Sequence, residues 1–75
     1  MDRAMLEDHL ALAERHVAQG EDHIRRQREI VDQLTRNGHI EYVQNARELL
    51  AQFEELQALH VGDRDRLKGE LSAGS

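Results

Sequence analysis

A mostly apolar residue recurs in alternating steps of four and three along nearly the whole chain, with one break at Asn37-Gly38. Before the break the series is Leu6, Leu10, Ala13, Val17, Gly20, Ile24, Gln27, Val31 and Leu34. After it come Val43, Ala46, Leu50, Phe53, Gln57, His60, Arg64, Leu67 and Leu71. This is the a/d seam of a left-handed coiled coil, because the spacing keeps one stripe of each helix turned toward a partner. There is no proline to interrupt it, and Asn-Gly offers the left-handed conformation that ends a helix. The pattern predicts helices over about 2–36 and 40–71, a turn at about 37–39 and a frayed tail at 72–75. Each helix is then ~45 Å long, and so short a turn sets the two antiparallel. The fold class is all-α, an antiparallel two-helix coiled-coil hairpin.

Folding at the break pairs residues whose numbers sum to about 77. Leu34 then faces Val43, Val31 faces Ala46, Gln27 faces Leu50 and Ile24 faces Phe53. Gly20 lies one turn further on, and we expect its missing side chain to make room for the only Phe, at about 1 kcal/mol of helix propensity. The pairs Gly20–Gln57, Val17–His60 and Ala13–Arg64 form a polar section, closed at the open end by Leu10–Leu67 and Leu6–Leu71. A wet section between dry ones serves as a register device or as a site.

The chain of 75 residues has room for one domain near the lower size limit of a single core. It has no Cys, so disulfides and thiolate zinc sites are excluded. Stability must then come from helix packing or from self-association. The positions flanking the seam favour self-association: the g positions carry Ile30, Tyr42, Leu49 and Leu56. An a/d/g face is wider than a hairpin seam needs, and it predicts a homodimer of hairpins forming a four-helix bundle.

Histidine recurs every seven residues at His9, His16 and His23, each one position before an a residue. Neighbours in this column lie about 10.5 Å apart along the axis, so no two of them share a metal ion. One metal constellation is compatible with the register: His16, His60 and Asp63, a three-ligand site for a transition metal such as zinc. The simpler reading has the histidines packing beside the seam, with His9 near Glu70 and His16 near Asp63. A pH-responsive reading differs in sign: a histidine held by an acid stabilises the fold at low pH, whereas one desolvated in a dimer core destabilises it there.

Arg25, Arg26 and Arg28 form a local basic cluster, the candidate for nucleic acid. The formal net charge of −5 weighs against a phosphate partner. The topology alone is shared with small RNA-binding hairpin dimers that regulate plasmid copy number. Material for catalysis is scarce, since the hydroxyl residues are Thr35, Tyr42, Ser72 and Ser75 and no triad spacing is evident. No apolar run approaches the ~20 residues of a membrane span, and the acidic outer faces do not suit a membrane surface. The alternating run Asp63-Arg64-Asp65-Arg66 is expected to be a self-compensating solvated patch.

Four stretches carry a resemblance. They are His9-Leu10-Ala11-Leu12-Ala13-Glu14-Arg15-His16-Val17, Gln27-Arg28-Glu29-Ile30-Val31, Leu49-Leu50-Ala51-Gln52-Phe53-Glu54-Glu55, and Ala58-Leu59-His60 followed by Asp63-Arg64. Together they resemble small uncharacterised helical-hairpin proteins of soil and plant-associated bacteria, over about residues 6–67. The resemblance implies a bacterial cytoplasmic protein. That family has no assigned activity, so no catalytic or binding residue is carried over. The expected function is a non-enzymatic protein–protein interaction module or small regulator without a cofactor, its partners being a second copy and a further protein. The alternatives are the metal- or pH-responsive bundle and the RNA-binding hairpin dimer.

Overall fold

The computed structural model describes residues 2–74 as two helices, α1 (Arg3–Arg36) and α2 (Ile40–Ala73). Asp2 stands just outside α1 as its cap, its carboxylate accepting the Met5 N–H at 2.8 Å. This satisfies one of the donors a helix start leaves open. At the other end Gly38 has φ +74°, the left-handed conformation that Asn37 does not adopt. The His39 N–H donates to the Leu34 carbonyl at 3.0 Å and the Gly38 N–H to the Thr35 carbonyl at 3.2 Å. These two bonds are the Schellman closure of a helix end. Only two residues further the chain is helical again, with the Tyr42 and Val43 N–H groups both donating to the His39 carbonyl.

α2 runs two residues past the expected end, because nothing before Gly74 breaks it and the Gly74 N–H still bonds the Glu70 carbonyl at 3.0 Å. Residues 72 and 73 of the expected frayed tail are thus helical, while Ser75 lies outside the described residues.

The hairpin is a rod with Cα extents of 55 × 14 × 13 Å and a radius of gyration of 16.8 Å. Every expected seam position is buried or half-buried, and beyond these only His16 and Val61 of the described residues escape full exposure. The buried apolar set is small: Ala13, Val17, Val31, Val43, Ala46 and Leu67. No described side chain is completely buried.

Register is held by one glutamine from each helix. Gln27, buried in the seam, donates Nε2 to the Ala46 carbonyl at 2.9 Å. Gln57 donates Nε2 to the Val17 carbonyl, also at 2.9 Å. Each amide reaches across to the other helix's backbone, so a slip by one turn breaks both bonds. The Gln57 amide also corrects the reading of Gly20. The gap there is filled by the Gln57 Oε1 and Cδ atoms, where a Cβ on Gly20 would stand. Phe53 instead packs against His23, ring centres 5.7 Å apart. A long polar side chain with a carbonyl to reach takes the gap, and the rigid ring lies alongside.

Candidate docking face and histidine pair

On a helix, the g and c positions lie together on one side of the seam and e and b on the other. In an antiparallel hairpin the g/c sides of both helices make one continuous face. Eight large apolar side chains of the described residues are exposed. Seven of them stand on this face: Ile30, Tyr42, Leu49 and Leu56 at g, and Met5, Leu12 and Leu59 at c. Ile40, in the first turn of α2, is the exception. The four g residues come together as the spacing predicts. The three c residues widen the stripe, and a helical wheel read one column further from the seam reveals them.

At the middle of the face lies a cleft of about 100 Å³ whose lining includes His16, Gly20, His23, Phe53, Leu56, Gln57 and His60. The His16 and His60 rings meet across the two helices with centres 5.1 Å apart and planes inclined by 46°. Both residues are half-buried. Gln57 Oε1, wedged at Gly20, is buried without a hydrogen-bond partner.

Toward the chain termini the face becomes charged. His9, Leu12, His16, Asp63 and Arg66 line a second cleft of about 130 Å³. His16 and Asp63 come to one cleft as expected, but the hydrogen bonds of Asp63 and Glu70 go to arginine. Asp63 accepts from Arg66 at 2.6 Å and Glu70 accepts from the same guanidinium at 2.8 Å. Arg66 is three residues from Asp63 and four from Glu70 on the same helix, so it reaches both without crossing the hairpin. The hydrogen bonds it donates to Asp63 and then to Glu70 hold the Arg66 guanidinium above its ordinary value. The three-ligand metal constellation is corrected accordingly: His16 and His60 come together, but the Asp63 carboxylate is engaged elsewhere. Among the described residues no group of three His, Asp or Glu side chains is arranged to hold a metal ion.

The arginine cluster does not form one patch. Arg25 pairs with Asp22, and with Arg28 it lines a cleft on the e/b side alongside Glu21, Glu29 and Asp32. Arg26 lies across the helix, beside His23, Ile30 and Phe53. Consecutive residues are ~100° apart on a helix, so adjacency in sequence separates them in space. Arg64 keeps its stem in the seam and pairs at the surface with Asp65 at 3.0 Å.

No protein-family model matches the chain, and neither the curated proteins nor the solved structures give a match. The chain's own geometry therefore carries the functional argument. Among the described residues no helix is long and apolar enough to cross a membrane.

Proposed function

We propose that this protein is a non-enzymatic protein–protein interaction module that works as a dimer of hairpins, each packing its g/c face on the other's to build a four-helix bundle. One observation carries the reading: seven of the eight exposed large apolar side chains lie on a single face. Surface area supports it. The hairpin exposes 5619 Å², whereas a folded monomer of this mass exposes about 4,700 Å². The excess is on the order of the ~800 Å² per partner of a standard interface. The face also has a suitable size, 55 Å long and 14 Å wide in Cα outline, or about 770 Å². The buried set of two alanines, three valines and one leucine is a thin core for a free-standing fold.

Sedimentation equilibrium tests this directly. The wild type is expected to be a dimer at micromolar concentration, and Leu56→Glu to shift it toward monomer. Burying one leucine contributes about 1.5–3 kcal/mol, and a two-fold interface holds the substituted residue twice. Dissociation should therefore become at least ~100-fold easier. A stably folded wild-type monomer at tens of micromolar would refute the proposal.

A further inference from the structure

The middle of the docking face offers chemistry that packing alone does not use. We infer that His16 and His60 form half of a four-histidine site for a divalent transition-metal ion of the zinc type, the other half being the same pair on a second copy. This rests on the dimer proposed above, and it places the metal at the seam between the two hairpins.

The ring geometry fits. Metal–nitrogen bonds are near ~2.05 Å and each nitrogen is about 1.15 Å from its ring centre, so two imidazoles on one tetrahedral ion have centres about 5.2 Å apart. His16 and His60 stand at 5.1 Å. They come from different helices and already share one cleft. Neutral imidazole is the ligand that zinc, nickel and copper accept most readily. His9 and His23 are each one heptad from His16, about 10.5 Å along the axis, and cannot join the same ion.

Two features of the surroundings fit a bound cation. A ligating imidazole needs an acceptor for its second N–H. Gln57, whose Oε1 is buried without a partner, is one of the residues that line the same cleft. Of the charged groups nearby, Asp63 and Arg66 share a cleft with His16 and pair with each other, and Arg64, one turn from His60, pairs with Asp65, so no uncompensated cation opposes a metal ion there. With two ligands per chain, a single hairpin is an incomplete tetrahedral site, and the two-fold partner completes it.

The test uses metal-free full-length protein titrated with zinc chloride by calorimetry, with sedimentation run with and without zinc. We expect one zinc ion per two chains. His16→Gln and His60→Gln should each weaken binding by more than about 100-fold, while His23→Gln leaves it within about twofold. Circular dichroism confirms that each variant stays helical. Replacing zinc by cobalt gives a readout independent of stability, since a tetrahedral site produces intense visible bands that the His16 and His60 variants should lose. A metal-free dimer that takes up no zinc overturns the site and leaves the docking face standing. A chain that dimerises only with zinc, at one ion per dimer, supports the site and overturns docking by the apolar face alone. A chain that stays monomeric in both conditions overturns both. Binding of one ion per chain, or binding lost equally in His23→Gln, overturns the assignment of ligands.

Discussion

The wedge of Gln57 against Gly20 makes a quantitative prediction. Alanine gains about 1 kcal/mol over glycine inside a helix, so Gly20→Ala in an open position would stabilise α1 by that amount. Here the new Cβ would overlap Gln57 Oε1 and lie 2.6 Å from its Cδ. The amide must leave, which breaks the bond from Nε2 to the Val17 carbonyl, worth about 1 kcal/mol net. The displaced amide also loses its packing in the seam, while Oε1, unpartnered where it lies, recovers hydration. The single substitution should therefore come out close to neutral, within about 1 kcal/mol. With Gln57→Ala in place first, the clash is gone and Gly20→Ala should stabilise by its full ~1 kcal/mol. The two changes are then coupled by about 1 kcal/mol or more, as expected for side chains in direct contact. Urea unfolding followed by helical circular dichroism measures all four corners of the cycle. It must be run at one chain concentration, because the self-association proposed above would make apparent stability depend on it. In melting temperature the coupling corresponds to roughly 4–8 °C for a chain of this size. If Gly20→Ala stabilises both backgrounds equally, to within about 0.3 kcal/mol, the wedge plays no energetic part and the reasoning fails.

Two further outcomes follow from the turn and the charged end. Gly38 sits at φ +74° with open space around its Cα, so Gly38→Ala meets no clash and suffers only the left-handed backbone cost. Thermal unfolding should show a loss of about 1–2 kcal/mol, with Gly38→Asn losing less. Arg66 has a guanidinium held above its ordinary value by Asp63 and Glu70, so its contribution is fully present below that ordinary value and fades only as the pH rises beyond it. Arg66→Ala should therefore leave the slope of stability against pH parallel to wild type between about pH 6 and 9, and divergent slopes in that window would contradict the assignment.

Much of the fold is legible in residue order. The step of four and three names every seam residue from Leu6 to Leu71, and the structure leaves each of them buried or half-buried. The register near 77 brings His16 to His60 and Phe53 to His23. The apolar g column is also legible, since Ile30, Tyr42, Leu49 and Leu56 need only a heptad count. Missing from that reading were Met5, Leu12 and Leu59, because the c column lies one step outside the face the seam count examines.

The sequence alone determined the helices, their break at Asn37-Gly38, the antiparallel register and the apolar side of the rod. Each of these depends on where a Cβ points, and helical periodicity dictates that direction from position number. Only the tertiary structure decided which long side chain takes which partner. Gln57 fills the space beside Gly20 that the seam order assigns to Phe53, because it can also reach the Val17 carbonyl. Arg66 takes both Asp63 and Glu70 from the histidines, because it meets them within its own helix. Arg25 and Arg26, adjacent in the chain, are parted by the turn of the helix. Glutamine and arginine have several rotatable bonds, so their partners are settled by competition among everything within reach in three dimensions.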